Sequence, residues 1–248
     1  MSFVYSGISQ LLLLWQSWWD FLGPNWSWVA AIVFVVLTVR VALLPLFVRQ
    51  FRSQRKMQRL QPEVQALRTE HGQDIRALGT AVSALYKREG VRPYGSFLPL
   101  LIQVPIFLGL FHVLRHLRPT ITDPAAQTLY GWTVTQFQEA SHATLLGAPL
   151  ASTFSSGGAL VAAVLIAAMV TTTFLTMRMS MIRNAPIEDP TQRLAQRLMT
   201  YGIPASLLVS GVIFPVGILL YWTTQNLFAL GQQAWLMRRY PALSTASA

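Results

Sequence analysis

Residues 29–48, VAAIVFVVLTVRVALLPLFV, form an apolar run of membrane-spanning length that carries one fixed positive charge, Arg40. At helical rise Arg40 lies roughly 13 to 14 Å inside the Arg49 end of this run, well within a hydrocarbon layer about 30 Å thick. An arginine does not shed its proton there, and placing it at the centre of a span costs about 2.5 to 3.5 kcal/mol on insertion scales. The charge therefore needs a wet cavity or a polar partner, which marks Arg40 as a functional position. The structural alternative is that its long stem snorkels toward the interface, helped by a bend at Pro45.

The rest of the chain has the same character. Of its 248 residues 53% are hydrophobic and 11% charged, and the apolar residues are gathered in long runs, as in a polytopic membrane protein. The net charge of +10 is no nucleic-acid footprint here, because cytoplasmic loops of membrane proteins collect Lys and Arg. No DNA partner is expected. The absence of cysteine excludes thiol redox chemistry and thiolate metal sites.

Residues 1–28 carry Asp20 as their one charge and are rich in tryptophan: Trp15, Trp18, Trp19, Trp26 and Trp28. Indole rings suit the headgroup level, so this stretch reads as an interfacial helix leading into the first span at 29–48; a short extra span is the alternative. Residues 49–92 hold ten Lys or Arg against four acids and should be cytoplasmic. Within them Met57, Leu60, Val64 and Leu67 recur at three-and-four spacing, as do Ile75, Leu78, Val82 and Leu85. Pro62 suits a helix start, His71-Gly72 a stop and Asp74 a cap, so the spacing predicts two amphipathic helices folded as an antiparallel hairpin.

Residues 93–236 contain four further spans. Tyr94 to Leu114 holds Pro99, Gln103 and Pro105; its flank carries His112 and His116, read as interfacial histidines because no third metal ligand is evident. Pro119 to Gly158 is nearly neutral and suits the outer side, with a short helix expected around Trp132 to Leu146. Ala159 to Met177 is the third span, and its Thr171, Thr172, Thr173 and Thr176 are expected to bond back to their own helix. A second basic loop follows. Leu198 to Leu236 would be about 58 Å long as one helix, so it must reverse near Pro215 and form two spans. Residues 237–248 are a short tail. The basic segments then alternate sides consistently: outside N-terminus, five spans, cytoplasmic C-terminus.

No Asp or Glu falls within these spans, which removes a carboxylate proton relay, and there is neither a Gly-x-Ser-x-Gly elbow nor a Walker loop. Neither an enzyme nor a cofactor is expected. The polar resources of the membrane region are Arg40, Gln103 and the cluster Tyr221, Trp222, Thr223, Thr224, Gln225, Asn226, Gln232 and Gln233. At helical spacing Tyr221 and Gln225 share one face and Trp222 and Asn226 another; hydrogen bonding within a static bundle is the competing use.

Taken together, the span with Arg40 and Pro45, then RSQRKMQRLQPEVQALR, then ALYKREGVRPYGSFLPLLIQVPIFLGLFHVLR, then FPVGILLYWTTQNLFALGQQ resemble the YidC/Oxa/Alb family of membrane-protein insertases in order and spacing over nearly all of residues 26–236. The resemblance implies an all-α polytopic membrane protein of five transmembrane helices around a hydrophilic groove, with a cytoplasmic helical hairpin, in the bacterial plasma (inner) membrane. It implies that Arg40 is the groove's cation and that Gln103, Tyr221 and Trp222 lie near the substrate path. Arg92 stands where the family commonly has Asn, and Thr176 about where many members have Gln. The tail is shorter than the basic extension of some members, which leaves ribosome contact to the two cytoplasmic loops.

The function expected is that of an insertase and chaperone that moves client transmembrane segments from the cytoplasm into the bilayer, with Arg40, Gln103, Thr176, Tyr221, Trp222 and Gln225 lining the groove. Clients would carry apolar spans and short, often acidic tails; anionic lipids, the ribosome and the Sec translocon are the other candidate partners. The rival reading is a small channel or transporter using Arg40 as an intramembrane anion site. If Arg40 acts only as a point charge, lysine should replace it.

Overall fold

The computed structural model describes residues 2–72, 74–91, 98–181 and 190–240. In chain order the helices are α1 (Ser2–Trp18), α2 (Pro24–Arg59), α3 (Gln61–His71), α4 (Ile75–Arg88), α5 (Leu98–His116), α6 (Pro124–Gln127), α7 (Val134–His142), α8 (Ala159–Met181), α9 (Pro190–Arg197), α10 (Ile203–Ile213) and α11 (Val216–Arg239). A two-stranded ribbon, β1 (Thr144–Leu145) with β2 (Ala148–Pro149), follows α7, and single 3-10 turns occur at Asp20–Leu22 and Leu129–Gly131. The all-α membrane fold expected from the sequence is thus present. Residues 94–97 of the expected second span and Arg92 lie outside the described residues.

The chain divides into two units, Met1–Val41 with Pro105–Ala248, and Ala42–Val104. The first has a core in which Trp28, Ala31, Ile32 and Val35 of α2 meet Leu110, Val113, Phe137, Ala162, Met169, Val216 and Leu219. Pro24–Arg59 and Ala159–Ser180 are apolar and long enough to cross a membrane outright. Helix α1 is amphipathic in an unusual sense: Ser9, Leu12 and Gln16 are buried, while Phe3, Leu14 and Trp18 are exposed. Its Trp15 donates from Nε1 to Thr38 Oγ1 at 3.0 Å, and Trp15 and Trp19 both pack on Phe34.

The loop 117–158 is a structured plug over one end of this unit. Trp132 is 4% exposed, stacks on Trp28 at 4.9 Å and donates to the buried hydroxyl of Ser9. Thr133 and Gln136 form a capping box that starts α7 one residue after that tryptophan. The helix expected up to Leu146 stops at His142, because Ala143 is extended (φ −60°, ψ 142°); Leu146 and Gly147, at positive φ (49° and 86°), then make the turn of the ribbon. Carbonyls of Leu150 and Ser152 then accept from Gly217 N (2.9 Å) and Val216 N (2.8 Å). The Pro215 ring offers no hydrogen-bond acceptor to cap α11, so the loop backbone satisfies its first amides.

Helix α8 packs against both α10 and α11. A Cβ built on Gly211 would lie 2.6 Å from Ile166 Cγ1, so the glycine is what lets α10 approach α8. Thr223 donates across to the Leu165 carbonyl at 3.1 Å. Thr172 and Thr176 bond back to their own helix as expected, but the buried Thr173 hydroxyl finds no partner among the described residues. The chain from α9 to α10 passes through a π turn at Leu198–Gly202, unforeseen from sequence. Its origin is Pro204, whose missing N–H would leave the Thr200 carbonyl without its α-helical partner.

In the second unit α3 and α4 pair, and Leu60, Leu85 and Val91 form a small core with Met57, Val64, Leu67 and Tyr86 around it. Pro62 sits in the first turn of α3, Gly72 ends it, and Asp74 Oδ1 caps α4 by accepting from Arg76 N (3.0 Å) and Ala77 N (2.9 Å). Gly90, at φ 64°, closes α4 so that Val91 N reaches the Tyr86 carbonyl and the Val91 side chain returns to the core. One residue of the expected apolar stripe departs from it: Ile75 is 83% exposed. It is the first helical residue after the cap, beyond the reach of the packed seam. Arg88 bonds Glu63 and Glu89, all at the surface.

Candidate functional site

Arg40 follows Val36 by one turn on α2 and is only 8% exposed. Its side chain reaches sideways to α11, where Nε donates to Gln225 Oε1 at 3.0 Å and Nη2 donates to the main-chain carbonyl of the same residue at 3.3 Å. The guanidinium carbon also lies 5.9 Å from the Phe228 ring centroid, within range of a cation–π contact. Tyr221, Gln225 and Phe228 are spaced by four and three residues, so helical geometry puts them on one stripe of α11. A buried arginine is thus met by an amide, a carbonyl and an aromatic face. Two different nitrogens are used, a fork that a lysine could satisfy only in part.

Trp222, on the neighbouring face, stacks on Phe107 (5.6 Å, 4° between planes) and meets Phe214 edge-on at 5.0 Å. Phe107 also approaches Tyr221, which is 4% exposed. The structure therefore brings Arg40, Tyr221 and Gln225 into one constellation and sets Trp222 in an aromatic cluster beside it. Thr176 is half-buried on α8 with its hydroxyl committed to the Thr172 carbonyl at 2.7 Å. Gln103 is half-buried on the part of α5 that belongs to the second unit. Phe228 was not singled out from the sequence; its position seven residues after Tyr221 is the signal that finds it.

At the other end of the first unit His112 and His116 are occupied by their own fold. His112 Nε2 lies 2.7 Å from the Tyr130 hydroxyl and its ring stacks on Tyr5, while His116 Nε2 donates to the Ala126 carbonyl at 2.9 Å. Burial pushes the Tyr130 phenol up from its ordinary pKa, with Tyr5 adding to the shift. No group of three potential metal-ligating side chains occurs among the described residues.

The sequence profile of the family described as 60Kd inner membrane protein matches residues 20–243. The membrane protein insertase YidC of Streptomyces avermitilis is 34% identical over 233 residues, covering 88% of this chain and 53% of that protein. That of Mycolicibacterium paratuberculosis is 32% identical over 265 residues, covering 95% and 75% respectively. A solved structure described as an active YidC insertase with its first transmembrane domain resolved superposes with a TM-score of 0.54 at 26% identity, over 91% of this chain and 45% of that one. The chain thus spans about half the length of the Streptomyces relative and somewhat less of the solved chain. The matched region contains α2, α5, α8, α10 and α11 whole, and with them every residue of the Arg40 constellation: this chain belongs to the 60Kd inner membrane protein family, the bacterial inner-membrane family of the YidC insertases.

Proposed function

We propose that this chain admits a short hydrophilic segment of a client protein into a hydrophilic half-membrane groove while the client's apolar helix slides out into lipid. Arg40, Tyr221, Trp222, Gln225 and Thr176 line that path, and the family resemblance adds Gln103. The observation that carries the reading is Arg40: a cation retained at mid-span against a cost of about 2.5 to 3.5 kcal/mol, held by a neutral amide. Burial of about 20 apolar client residues supplies the driving force, the groove shortens the barrier for the polar segment, and Arg40 attracts its carboxylates. No covalent bond forms or breaks.

The basic residues at 49–92 and 178–197 put those segments in the cytoplasm, the N-terminus outside and the C-terminus inside. The exposed Phe3, Leu14, Trp18, Phe21 and Trp26 suit α1, its link and the first turn of α2 to the headgroup level. The α3–α4 hairpin offers basic surface to anionic headgroups and to the ribosome, and the Sec translocon is a partner to be sought by crosslinking. The test is reconstitution of the purified chain in liposomes with a small single-span client. Protease protection of the client above the level of empty liposomes is expected. Solute flux without client protection would replace the insertase reading with that of a channel.

A further inference from the structure

Gln225 gives Arg40 two of its bonds, and both of the acceptors it offers are neutral oxygens. A carboxylate presents two oxygens of the same kind with a full charge behind them, and charge-assisted pairs of this geometry are about twice as strong as neutral ones. With Arg40 only 8% exposed, an incoming anion that engages Nε or Nη2 competes with Gln225 for them.

We infer that Gln225 is a resting-state surrogate for the client carboxylate, a positioning residue that holds Arg40 of α2 against α11 and sets the threshold an acidic tail must exceed to displace it. This rests on the reading that Arg40 attracts client carboxylates. A neutral tail offers Arg40 nothing better than the Gln225 amide and leaves the pair closed. An acidic tail exchanges an amide oxygen for a carboxylate oxygen at Nε and gains the difference. Gln225 then discriminates between tails by competing for the same two nitrogens, without contacting the client's apolar segment. Phe228, on the next turn of the stripe, keeps the cation beside α11 during the exchange.

The readout is a ratio: insertion of an acidic-tailed client divided by insertion of the same client with its acids changed to amides, in liposomes containing the full chain, with folding of each variant checked by its resistance to unfolding. Gln225→Leu removes the competing side chain and should raise the ratio about tenfold, the worth of one hydrogen bond to a charged group. Gln225→Glu supplies a permanent internal carboxylate and should bring the ratio to one or below. A merely structural Gln225 would scale both clients equally, and an unchanged ratio in both variants overturns the inference. Arg40→Ala separates the underlying reading. A wild-type ratio above one that collapses in Arg40→Ala supports attraction by Arg40, whatever the Gln225 variants do. A wild-type ratio of one, or one indifferent to Arg40→Ala, overturns both.

Discussion

The pairing of Arg40 with Gln225 makes a prediction in which stability and function part company. Holding Arg40 at mid-span costs about 2.5 to 3.5 kcal/mol. The 3.0 Å bond to Gln225 Oε1 returns about 1.5 to 3 kcal/mol as a hydrogen bond to a charged group, and the 3.3 Å bond to the carbonyl returns less. The two sides nearly cancel. Gln225→Leu alone keeps the charge and deletes the better bond, so it should destabilise the protein by about 1.5 to 3 kcal/mol. Arg40→Met removes the charge but strands the Gln225 amide oxygen, a cost of about 1 to 3 kcal/mol that offsets most of the gain. Arg40→Met with Gln225→Leu removes charge, amide and mismatch at once and should fall within about 1 kcal/mol of the wild type or above it, as apolar replacements of buried polar pairs commonly do. Unfolding by SDS titration in mixed micelles, followed by tryptophan fluorescence, measures all four corners of the cycle. Insertion of acidic-tailed clients should be lost in the double variant despite its stability. If the double variant is less stable than Gln225→Leu, the arginine is a structural pillar of the bundle and not a functional cation.

Gly211→Ala should meet Ile166 and cost about 1 to 3 kcal/mol of overpacking, against about 1 kcal/mol of helix propensity gained; Ile166→Ala in the same chain should relieve the clash, and strictly additive effects in unfolding titrations would contradict a close α8–α10 contact. Asp74→Ala removes the cap of α4 and should speed amide exchange of residues 76–78 about fivefold, corresponding to about 1 kcal/mol, while leaving α8 unaffected; equal exchange in both proteins would count against the cap. Because the chain has no cysteine, Glu70→Cys and Thr135→Cys report topology cleanly: an impermeant thiol reagent added outside should label position 135 and spare position 70, and the reverse would invert the orientation.

Most helices, and the ends of α3 and α4 in particular, were legible in the sequence because their signals are local, whereas the end of α7 and the π turn before α10 were not. Asp74, Pro62 and Gly72 act within a turn of where they stand, and Met57, Leu60, Val64 and Leu67 declare their seam by spacing alone. The reversal at Pro215 was legible for the same reason, since an apolar run too long for one bilayer crossing has to turn. That Arg40 needs a partner also followed from its host segment. Which partner did not: Gln225 is 185 positions away, and Tyr221, Trp222 and Gln225 were indistinguishable as candidates until α2 and α11 were set side by side. The stacking of Trp132 on Trp28, the capping of α11 by the Leu150 and Ser152 carbonyls, and the fit of Gly211 against Ile166 share this character. In a soluble helix a polar face reveals which side is buried. Here α8 and α10 are apolar all round, because lipid and core are equally apolar, so their rotation about their axes is decided by packing and polar pairing that exist only in the assembled fold.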